Sequence, residues 1–118
     1  MAVNIFQGDT FKGVISLRTI DVVDPTKTNT YIIPTGATIQ INFPGITASV
    51  VLSTANAGEI TIINASTGTL SYTGSPLKSV LLNPGKNQSL DLIVTDTAGN
   101  VTTFEQPKII NVYARANP

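Results

Sequence analysis

Residues 37–43 read Ala37-Thr-Ile-Gln-Ile-Asn-Phe43, and this heptapeptide decides the fold class. Ala37, Ile39, Ile41 and Phe43 occupy one phase of a two-residue period, with Thr38, Gln40 and Asn42 on the other. Successive side chains of an extended chain point to opposite faces, so this stretch predicts a strand with one apolar and one wet face. Pro44-Gly45 ends it in a turn. The same period continues downstream. Ala48, Val50 and Leu52 alternate with Thr47, Ser49 and Ser53, Ile60 and Ile62 share a phase in residues 59–63, and Leu70 and Tyr72 point inward from residues 69–73. Leu90, Leu92 and Val94 form the core face of residues 88–95, residues 101–105 return from it, and Ile110 and Val112 face inward from residues 108–114.

Upstream, Phe11, Gly13, Ile15 and Leu17 share a phase, so residues 10–20 are expected to be a strand, and residues 31–33 a short one. Residues 21–29 read as a polar loop and residues 77–82 as an irregular segment. Asn83-Pro-Gly-Lys-Asn87 predicts a type II turn with Gly85 at positive φ, and Asp96-Thr-Ala-Gly-Asn100 a tight hairpin. The expected architecture is an all-β antiparallel sandwich of eight or nine short strands, with no βαβ unit and no helix longer than two turns. Residues 1–118 are expected to form a single domain; 1–9 and 115–118 are candidate arms, and the apolar start ahead of Gly8-Asp9 reads first as a terminal strand of the protein's own sheet. Ile39, Ile41, Val50, Ile60, Leu90, Leu92 and Ile110 should line one core.

Composition narrows the chemistry. The chain has no His and no Cys, against 17 Thr, 14 Ile and 10 Val. Thr, Ile and Val stiffen an extended backbone and pack on a pleated surface. Without His or Cys, a Ser-His-Asp triad, a thiol nucleophile and a thiolate zinc site cannot be built. Most of the acids, Asp9, Asp21, Asp24 and Asp96, stand beside turn residues, while Glu59 and Asp91 are expected on exposed strand faces. Oxygen ligands for calcium could come only from Asp21, Asp24 and Asn29, or from Asp96 and Asn100, and neither set has the spacing of a calcium-binding loop. The chain is therefore expected to be no enzyme and to need no cofactor.

Seven cations balance seven acids and form no cluster, which disfavours nucleic acid as a partner. No apolar run approaches the ~20 residues of a membrane helix, so no membrane partner is expected. Zero net charge favours association with other protein surfaces.

Residues 36–113 taken in order carry a resemblance. Gly36-Ala-Thr-Ile39 is followed by Gly58-Glu-Ile60, Leu82-Asn-Pro-Gly85, Asp96-Thr-Ala-Gly-Asn-Val101 and Ile110-Asn-Val112. This order resembles the small immunoglobulin-like β-sandwich modules of tailed bacteriophages, such as the N-terminal modules of upper baseplate proteins. The resemblance implies a non-enzymatic virion structural protein, attached to the tail or baseplate, whose partners are other virion proteins, through self-association or a symmetric multi-copy assembly. A capsid-decorating protein or a host-surface or glycan-binding module are the alternatives. The chain's terminal segments supply the expected contacts: Val3, Ile5 and Phe6 at one end, Tyr113 and Arg115 at the other.

Overall fold

The computed structural model describes residues 3–20, 23–24 and 26–114. Ten strands follow one another: β1 Val3–Phe6, β2 Phe11–Ser16, β3 Arg18–Ile20, β4 Thr28–Thr30, β5 Thr38–Phe43, β6 Val50–Ser53, β7 Ile60–Asn64, β8 Thr69–Gly74, β9 Gly85–Thr95 and β10 Val101–Tyr113. An α-helical turn, α1, spans Pro76–Ser79, with Ser75 as its cap and Pro76 at its first position. The protein is all-β, as the alternation of residues 37–43 predicts.

The strands form a five-stranded sheet in the order β1-β10-β9-β5-β6, a three-stranded sheet β2-β8-β7, and a small hairpin β3-β4. The apolar phases of the two larger sheets meet over one core. Ile39, Ile41, Phe43, Leu52, Leu90, Leu92, Val94, Ile110 and Val112 come from one sheet and Phe11, Ile15, Ile60, Leu70 and Tyr72 from the other. Every residue expected in the core is there. Three rings join the sheets: Phe43 meets Phe11 edge-on at 5.3 Å and Tyr72 at 5.4 Å between ring centroids. The Tyr72 ring lies across β2 at Gly13, where a Cβ would sit 2.5 Å from its hydroxyl, so a side chain there would displace the ring.

Several expectations are corrected. The sheets are not wholly antiparallel, because β1 pairs with β10 in parallel register, Val3 opposite Ile110 and Phe6 opposite Tyr113. Val3–Phe6 is thus a terminal strand of the protein's own sheet, the reading its apolar start favoured. Among the described residues the strands number ten: residues 10–20 break at Leu17 into β2 and β3, β3 finds a partner in β4, and Val3–Phe6 adds a strand. Residues 31–33 form no strand. The two expected strands at 101–105 and 108–114 are one, β10, whose register against β9 slips between Gln106 and Ile110. Pro107 falls inside that slip, where its missing N–H breaks no ladder.

Gly85 has no positive φ and pairs with Val112, so the type II turn does not form; the left-handed residue is Asn87, at φ 56°. It marks an extra residue in β9, between Gly85 and Gln88, and its N–H donates to Asn111 Oδ1 at 2.8 Å. Asn tolerates this conformation as few other residues do. Ile62 keeps the inward phase beside Leu70 but is exposed, because β7 is the edge of the smaller sheet.

Candidate docking surfaces

The acidic loops are spent on their own turns. Asp96 Oδ1 accepts the N–H groups of Ala98 and Asn100, each at 2.9 Å, and Oδ2 accepts the Asn100 side-chain amide. These hydrogen bonds, those from Asn100 foremost, hold its carboxyl below the usual carboxylate range. Asp24 does the same with Thr26, through both hydroxyl and N–H, and its pKa is lowered for that reason. Asp21 lies outside the described residues. Among the described residues no three His, Cys, Asp or Glu side chains converge on a point where a metal ion could sit, and no helix is long and apolar enough to cross a membrane.

The terminal contact residues divide by face. Ile5 points into the core and is fully buried, and Val3 packs partly buried against the core. Phe6 points the other way and is 50% exposed. It stacks on Tyr113 of the paired strand, with centroids 5.1 Å apart. Below this pair, Asn4 Oδ1 accepts the side-chain amide of Asn111. Arg115 lies outside the described residues.

The turn after β1 is tied to α1. Gln7 Nε2 donates to the Leu82 carbonyl and the Gly8 N–H to Ser79 Oγ, both at 2.8 Å. Ser79 is buried and spends its own proton on the Pro76 carbonyl. With its polar side locked inward, α1 and the residues after it turn aliphatic groups outward. Leu77 is 82% exposed, and Val80, Leu81 and Ile46 are all exposed as well. Ile46 belongs beside them, because its N–H donates to the Leu81 carbonyl. Contiguous exposed apolar patches, where large, mark binding surfaces. The sequence reading missed this group. Ser75-Pro76 is a helix start, and Leu77, Val80 and Leu81 have the i, i+3, i+4 spacing of one helical face, but a single turn is too short for that period to stand out.

The free edge of β6 is closed. Glu59, expected on an exposed face, is instead half-buried and bound on all sides. Its Oε1 accepts the Ser53 N–H at 3.0 Å and the Asn56 amide at 2.9 Å, while Oε2 meets Lys78 Nζ at 2.5 Å. Lys78 also donates to the Val51 carbonyl at 2.7 Å. Burial raises the Glu59 pKa, but the hydrogen bonds from Lys78, Asn56 and Ser53 and the Lys78 charge outweigh it, and the net direction is down. No protein-family model matches the chain, and no curated protein matches it significantly.

Proposed function

We propose that this protein is a non-enzymatic structural module of a tailed-bacteriophage particle, attached to the tail or baseplate through its α1 end. The observation that carries the reading is the exposed aliphatic group Leu77, Val80, Leu81 and Ile46 on and beside α1. Burying a side chain of this kind is worth about 1.5–3 kcal/mol. Several at once can offset the cost of immobilising a protein on a partner. The lack of His and Cys supports a role without reaction chemistry. The order of turns and strands over residues 36–113 supports the phage setting, with the two-sheet core read as an immunoglobulin-like sandwich.

Gradient-purified particles from a lysate encoding this chain test the reading. Quantitative mass spectrometry should find the protein at a fixed, multi-copy ratio to the other virion proteins. Its absence from particles, with the protein abundant in the soluble lysate, would overturn the reading.

A further inference from the structure

We propose that the free edge of β2 is a strand-addition site for a second copy of this chain, in which two three-stranded sheets join as one of six strands. The Leu17 N–H donates to the Gly68 carbonyl, and the β2–β8 register runs without a slip from Phe11 opposite Gly74 to Ser16 opposite Thr69. Inward and outward groups alternate along an antiparallel strand, so residues 11, 13, 15 and 17 face β8. The N–H and C=O groups of Lys12, Val14 and Ser16 therefore face away from the sheet. They have no partner among the described residues, and all three residues are exposed, Val14 to 64%.

The other edges differ. On β6 the outward Ser53 N–H and Val51 carbonyl are taken by Glu59 and Lys78. On β1 the Phe6 carbonyl accepts the Asp9 N–H. The β7 edge slips in register after Ile62, and such irregularities blunt an edge against pairing. Among the described residues, β2 presents a straight edge of alternating free groups along a strand of six residues.

The edge is self-complementary, which selects a second copy as its occupant. A two-fold axis at Val14 sets Lys12 opposite Ser16 of the copy and Val14 opposite Val14. No like charges oppose each other, and zero net charge adds no long-range repulsion. Each of the three facing pairs exchanges two backbone hydrogen bonds, and an interface repeated about a two-fold closes on itself. This inference does not depend on the phage reading.

Sedimentation of the isolated full chain tests it, together with amide exchange read by NMR. The mass should rise toward two protomers with concentration, and the amides of Lys12, Val14 and Ser16 should gain protection together. Val14→Lys places two ammonium groups opposite each other, and Val14→Pro removes an outward N–H that the fold does not use. Each should weaken the dimer tenfold or more. A single-protomer mass up to about 1 mM, or a dimer whose formation leaves those three amides unprotected, would overturn the proposal. So would folded Val14 variants that dimerise as well as the unaltered chain.

Discussion

Lys78, in α1, lies against Glu59, just before β7, and from that position it also donates to the backbone of Val51 in β6. One ion pair thus ties the helical turn and both sheets together at a single seam, and Glu59 captures the neighbouring Ser53 N–H as well. The pair covers backbone groups on β6 that would otherwise be open to another strand. Covering an edge in this way guards against unwanted pairing.

Glu59→Ala should destabilise the fold by about 1–3 kcal/mol, because it orphans the Ser53 N–H and leaves Lys78 without its carboxylate. Urea unfolding monitored by circular dichroism measures it. A change near zero would mean that the pair is solvated as an ordinary surface contact.

The same site predicts the direction of acid sensitivity. The folded-state pKa of Glu59 is lowered below its usual 4.5. Its contribution to stability is therefore fully present above that value and is lost as the pH falls through the depressed folded pKa. Glu59→Gln should flatten the fall of stability on the acid side, while Asp96 and Asp24, also lowered, keep part of it. An unchanged pH profile in the Gln variant would assign the acid sensitivity to the two aspartates alone.

Tyr72 buries a hydroxyl that finds no partner among the described residues, and burial pushes its pKa up to about 12. An unpaired buried hydroxyl costs more than it returns. Tyr72→Phe is expected to leave stability unchanged or raise it by up to about 1 kcal/mol. Thermal unfolding of the variant checks this, and a clear loss would reveal a hydrogen bond to the hydroxyl.

Ile41 and Leu92 face each other across β5 and β9 and are both fully buried. Ile41→Ala and Leu92→Ala should each cost about 2–5 kcal/mol, the range for large-to-small changes in a packed core. A loss below about half a kcal/mol at both sites would contradict the two-sheet core, since exposed substitutions change stability by that little.

What was legible in the sequence is what a local period can encode. Ile39, Ile41 and Phe43 declare their face by alternation alone, and Asp96–Asn100 declares a hairpin by its turn residues. Pairing between distant segments leaves no local trace. Nothing in Val3–Phe6 says that it runs parallel to β10, and nothing around Glu59 says that Lys78 will reach it. Pro84-Gly85 suggested a turn because both residues favour one, yet pairing with β10 drew Gly85 into β9 and left Asn87 to take the left-handed conformation. Ile62 obeys its phase and is exposed all the same, because exposure at a sheet edge depends on what lies opposite. Of the candidate contacts, Phe6 and Tyr113 were legible as apolar residues near the chain ends. The α1 group was not, because one helical turn has no period to read.

The most direct test of the structural role is incorporation of the Leu77→Glu/Leu81→Glu double variant into particles. Both side chains are exposed, so the variant should fold like the unaltered chain in circular dichroism and thermal unfolding. The account predicts a folded protein whose copy number in purified particles falls at least tenfold. Incorporation at the normal copy number would contradict docking through the α1 end.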